Sequence, residues 1–185
     1  MKVDSLNSET KATRRSNRNA MLRFLGIFFG LITIYYALAL SPWVDANALF
    51  PVMKFSARGT SVLLGLLGTK TTVEGVLVRG PACAVAVRRG CDPLEPIVLF
   101  AAATIAFPTG WRRRFAGILC AAMLLFGLNL VRVASLYLLR ANGSAFFESI
   151  HLVWWPAFFV AASLVLWILW LCWIRQPAPV SIVAE

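Results

Sequence analysis

Four apolar runs divide the chain: Met21 to Leu40, Pro93 to Phe107, Phe115 to Leu139 and Ile150 to Ile174. A helix rising 1.5 Å per residue needs about 20 apolar residues to cross roughly 30 Å of hydrocarbon. Three runs meet that length and the second falls short, because Pro108-Thr109-Gly110 ends it. A helix that short takes up little tilt or sits in a thinned bilayer. The pattern predicts an all-α polytopic membrane protein with about four transmembrane helices.

Two segments break the pattern. In residues 48–68, Lys54 and Arg58 fall four apart on one helical face, while Phe50, Val52, Met53 and Phe55 supply apolar surface, the arrangement of a helix lying in the outer interface. After it, TTVEGVLVRGPACAVAVRR holds two β-branched runs around Arg79-Gly80-Pro81, which predicts a short β-hairpin. The hairpin is either a cover for the mouth of the bundle or an edge that grips an extended substrate.

Composition agrees: 59% of residues are hydrophobic and 14% charged, and the mean hydropathy is +0.75. The net charge of +10 reads as a topology signal and not as a nucleic-acid footprint, since the basic residues flank apolar runs. With the N-terminus inside, TRRSNR, the WRRR of residues 111–114 and Arg175 all fall on the cytoplasmic side; a fifth span through residues 48–68 would put WRRR outside. The expected organisation is a disordered basic cytoplasmic tail over 1–20, one membrane-embedded domain over 21–175, and a cytoplasmic tail over 176–185.

The chemistry-bearing residues are few. Cys91 precedes the second run, where Asp92 is placed to cap a helix, Pro93 to fill its first position and Glu95 to complete a capping box. The helix dipole favours a thiolate there, while Asp92 and Glu95 oppose one. In the third run Asn129, Arg132 and Ser135 recur every three residues on one side of the helix. Arg132 lies about eight residues, or roughly 12 Å, below the outer end if the helix stops near Arg140. A charge within a span normally faces a bundle interior or wet cavity and marks function; the bland alternative is an arginine that snorkels to the headgroups. Asn129, one turn deeper, suits helix–helix hydrogen bonding. The single histidine, His151, opens the fourth run on the same face of the membrane as Cys91, with Glu148 three residues before it as a candidate to orient the ring. Trp154 and Trp155 fit an aromatic belt.

Cys120 and Cys172 fall inside spans as packing residues. Cys83 shares the outer segment with Cys91, so a disulfide between them is the rival to a free nucleophile. One histidine and no Cys-x-x-Cys or His-x-x-x-His spacing argue against a metal site, and nucleotide-binding and serine-elbow motifs are absent. Three classes stay open: a thiol peptidase or transpeptidase, a membrane thiol acyltransferase, and a non-catalytic assembly or scaffold protein stapled by Cys83–Cys91.

Cys91 in RRGCDPLEP, Arg132 in NLVRVASLYLL and His151 in ESIHLVWW, in that order, make the sequence resemble the exosortase/archaeosortase family, closest to its short form, exosortase H, over about residues 20–175. The family's cysteine is often followed by Ser or Asn and Gly, where this chain has Asp92-Pro93. The resemblance implies a cysteine peptidase or transpeptidase in the bacterial inner membrane, with Cys91, Arg132 and His151 catalytic on the periplasmic face and no cofactor. It implies as substrates exported proteins with a C-terminal sorting signal of motif, transmembrane helix and basic cluster, the motif of the IPTLxxWG type. Asn129, Glu148, Asp92 and Glu95 are candidate supporting residues.

Overall fold

The computed structural model describes residues 2–175; the expected tail over 176–185 lies outside them. The elements run α1 (Lys2–Ala39), α2 (Pro42–Val44), a π turn (Asp45–Leu49), α3 (Phe50–Leu66), β1 (Thr72–Glu74), β2 (Leu77–Arg79), β3 (Ala84–Ala86), α4 (Leu94–Ala106), α5 (Trp111–Ala141), α6 (Phe147–Ser149), a second π turn (Ile150–Trp154) and α7 (Trp155–Ile174). Three helical stretches are long and apolar enough to cross a membrane, Arg14–Ala39, Trp111–Ala141 and Phe147–Ile174, with α4 a shorter apolar helix among them. α4 packs against α1, α5 and α7. It stops where Phe107 turns extended, at ψ 134°, because the following proline disfavours helical backbone in the residue before it.

Residues 2–20, expected as a disordered tail, continue α1 as helix. They contain neither Gly nor Pro, and a helix nucleated in the apolar run propagates at little cost into such residues.

The two π turns have a common cause. Each is followed two residues later by a proline, Pro51 and Pro156. A proline ring clashes with the carbonyl four residues earlier and lacks an N–H to bond it, and a widened turn relieves both problems.

α3, the helix expected at the outer interface, has 17 residues and is not among the three potential spans. It buries Met53, Ser56, Ala57, Thr60 and Leu64, an i, i+3, i+4, i+7, i+11 stripe, and packs on α5. The rings of Phe55 and Phe126 are 5.4 Å apart, Ser56 meets Asn129, and a Cβ on Gly59 would stand 3.0 Å from Leu130. The two helices therefore advance in step.

The expected hairpin is present, with its turn after Arg79, but a third strand extends it. The sheet is an antiparallel meander, β1-β2-β3, with Val73 opposite Val78 and Val78 opposite Val85. The added turn at Gly75-Val76 is possible because Gly75 takes φ 64°, open to glycine at no steric cost. Gly80, in the other turn, must also be glycine, since a Cβ there would collide with the Tyr137 ring.

Two cores result. The outer one joins Leu49, Met53, Leu64, Val78, Val87, Val133 and Tyr137 from α3, the sheet and the end of α5. The inner one joins Phe100, Ala121, Leu125, Phe159 and Trp170 from α4, α5 and α7. The 31 residues of α5 rise about 46 Å, some 16 Å more than a hydrocarbon layer. Counted about 20 residues up from the WRRR end, the outer boundary of that layer falls close to Arg132.

Candidate active site

Cys91, Arg132 and His151 converge where the two cores meet. Gly90, at φ 80°, turns the chain from the sheet toward α4. The Asp92 carboxylate accepts the Leu94 N–H at 2.9 Å and fixes the backbone beside the thiol. The N-cap of α4 is Pro93, however, and the helix starts at Leu94, one residue later than the expected Asp92 cap with Pro93 in the first helical position. The return bond from Glu95 is not formed among the described residues; Glu95 stands in the first turn of α4. His151 rides on the second π turn.

The Cys91 Sγ lies 3.0 Å from His151 Nε2, and Arg132 donates from Nη2 to the same sulfur at 3.8 Å. Arg132 is 4% exposed, so it does not snorkel; its guanidinium lies 5.5 Å from the centre of the Phe159 ring, and its Nε has no hydrogen-bond partner among the described residues. Burial pushes the Cys91 thiol above the usual thiol range; Arg132 pulls it partly back, and Asp92 pushes it further up. Desolvation thus outweighs the pull of Arg132 and decides the sign that the local sequence left open. A thiol held in its neutral form needs a base in hydrogen-bond reach, and His151 occupies that position.

The supporting candidates separate. Asn129 is fully buried and donates to Ser56 Oγ at 3.0 Å, which ties α5 to α3. Glu148 is exposed and makes no hydrogen bond to His151 among the described residues, so it does not orient the ring; Phe147 lies against that ring instead, centroid to centroid 5.6 Å. Cys83 and Cys91 are both free. The Cys83 thiol donates to the Tyr137 carbonyl at 3.7 Å, while Cys91 faces His151, so the disulfide that a stapled scaffold requires is not formed.

Trp155, expected in an aromatic belt, instead donates Nε1–H to Ser135 Oγ at 3.2 Å, and Ser135 donates to the Arg132 carbonyl. Trp155 and Phe159 thus brace the arginine, a role the sequence reading missed. Their four-residue spacing after His151 carried the signal.

A cavity of ≈ 500 Å³ opens over the sulfur, lined by β3, Arg88, Arg140, Phe147 and the three candidate residues. That is within the roughly 300–1,000 Å³ typical of ligand sites. Among the described residues no group of His, Cys, Asp and Glu is placed to hold a metal.

Searches of curated proteins and of solved structures returned no match. The family model described as "Transmembrane exosortase (Exosortase_EpsH)" matches residues 19–168, a stretch that contains all three converging side chains. On that match the chain belongs to the transmembrane exosortase family.

Proposed function

We propose that the protein is a membrane cysteine peptidase or transpeptidase that cleaves the C-terminal sorting signal of exported proteins through a thioester. The observation that carries this reading is the 3.0 Å approach of Cys91 Sγ to His151 Nε2 with the Arg132 guanidinium on the same sulfur. In the reaction, His151 takes the Cys91 proton as sulfur attacks the scissile carbonyl. The carbonyl oxygen, now negative, lies one bond from the carbon joined to sulfur, within reach of the donors of Arg132. The C–N bond then breaks, His151 returns the proton to the departing amine, and the acyl group stays on sulfur. Water or an amine acceptor gives its proton to His151, attacks the thioester and releases Cys91.

The supporting residues hold this arrangement without touching the reacting atoms: Asp92 fixes the backbone after the thiol, while Ser135 and Trp155 hold the arginine. The active site belongs on the outer, periplasmic face of an inner membrane, because the WRRR end of α5 lies inside by the charge rule.

The test is co-expression of wild type, Cys91→Ala, Arg132→Ala, His151→Ala and Cys83→Ala with a reporter carrying an IPTLxxWG-type motif, an apolar helix and a basic cluster. Loss of the tail in wild type and Cys83→Ala, but not in the other three, is expected. Tail loss that persists in Cys91→Ala refutes the nucleophile.

A further inference from the structure

Strand β3 ends one side of the sheet. Its ladder with β2 is marked by Val87 N–H to the Val76 carbonyl and Gly80 N–H to the Cys83 carbonyl, both at 2.9 Å, with Val78 opposite Val85. Hydrogen-bonded residues alternate along an antiparallel pair, so Val85 points its N–H and C=O at β2. Ala84 and Ala86 point theirs the other way, and no other backbone or side-chain group among the described residues takes them up. Unpaired edge groups of this kind are a template for another strand. All three β3 residues line the cavity that holds Cys91, Arg132 and His151, and the methyl side chains of Ala84 and Ala86 leave room beside the edge. β1, the opposite edge, lines none of that cavity.

We infer that the free edge of β3 binds the polypeptide substrate as an added strand, through the Ala84 and Ala86 backbone, and delivers the scissile carbonyl to Cys91. This deepens the peptidase reading above and rests on it. Alternating N–H and C=O groups at strand spacing are matched by an extended peptide backbone and by little else. The direction also follows. β3 starts beside the outer end of α5, where Cys83 bonds the Tyr137 carbonyl, and descends toward Cys91, which meets Arg132 five residues lower on that helix. A substrate whose transmembrane helix follows its motif descends the same way, so it pairs parallel to β3.

The direct test places a photo-crosslinking amino acid at residue 84, 86 or, as the opposite edge, 72, in the Cys91→Ala background so that no cleavage is needed. The probe is the motif-helix-basic reporter. Cross-links from 84 and 86 but not 72 are expected, with 84 reaching reporter residues farther from the reporter's helix than 86 does. Equal capture from 72, or none from 84 and 86, overturns the inference; a reversed order overturns the parallel direction.

The second test is Ala86→Pro with Cys91 present. Proline removes the outward N–H of an edge residue without touching the β2 ladder, and loss of that hydrogen bond and of close approach should slow tail removal about tenfold. An unchanged rate of Cys91 alkylation shows that the variant is folded. Processing at the wild-type rate in Ala86→Pro refutes the edge while leaving the peptidase reading intact. A reporter that wild type fails to cut refutes the peptidase reading for that tail, and the cross-links still decide the edge.

Discussion

The outer and inner cores hold the same helix, α5, by different means. The outer core is aliphatic and partly β-branched, built from α3 and a sheet, as in a water-soluble domain where removal of apolar surface from water drives packing. The inner core sets large aromatic rings against small residues. Trp170 fits against Gly117, where any Cβ would collide with the indole, and its Nε1 donates to the Arg113 carbonyl at 3.1 Å. Lipid offers no hydrophobic drive between helices, so close van der Waals contact and interhelical hydrogen bonds must supply the association. Cys91, Arg132 and His151 stand at the seam, where one side offers an open cavity and the other a packed wall that fixes the guanidinium.

The largest losses are expected at the seam. Cys91→Ala and His151→Ala should each reduce reporter processing by about 10³-fold or more while leaving the melting temperature in detergent within a few degrees; a variant that melts early instead is structural. Arg132→Lys should lose about 10²-fold, because an ammonium cannot reproduce the planar fork that both faces sulfur and lies over Phe159. Retained activity in Lys would reduce the arginine to a point charge.

Within the two cores the readout is stability. Gly117→Val should destabilise by about 1–3 kcal/mol, since Trp170 must move and surrender its bond to Arg113. A thermal melt checks this, and the cysteine alkylation rate well below the melt should be unchanged. Ser56→Ala, which strands the Asn129 amide between α3 and α5, should cost about 0.6 kcal/mol, the smallest loss; a drop as large as that of Gly117→Val would equate the two cores.

The thiol itself gives a titration. Burial raises its pKa, so alkylation of Cys91 by iodoacetamide should reach half its maximal rate at a pH above that of an ordinary thiol. Arg132 lowers the value and Asp92 raises it. Arg132→Gln should therefore move the midpoint up and Asp92→Asn should move it down. Shifts in the opposite directions would mean that neither charge faces the sulfur as the geometry has it.

Much of this was legible in the chain. The apolar runs marked the spans, Pro108 marked the end of α4, and the Asp92-Pro93 pair marked its start to within one residue, because each depends on local sterics or on run length. The chemistry-bearing residues were legible because a membrane protein carries few: one histidine, and one strong charge well inside a run. Other features were not. β1 escaped because a three-residue strand has too little pattern to stand out from its turn. The helicity of residues 2–20 escaped because low hydrophobicity argues against burial and not against helix. Glu148 was misread because three-residue spacing suggests contact only where a helix is regular, and the chain there enters a π turn.

By itself the sequence determined the class of the protein, the order of its long apolar helices and the three side chains on which any chemistry must depend, since hydrophobic run length, charge asymmetry and rarity are properties of the chain alone. Only the tertiary structure decided that Cys91 meets His151 and not Cys83, that burial raises the pKa of the thiol, and that the free edge of β3 opens on the same cavity. Those outcomes depend on which distant segments share a site and how much water they exclude, and neither is written in any one stretch of residues.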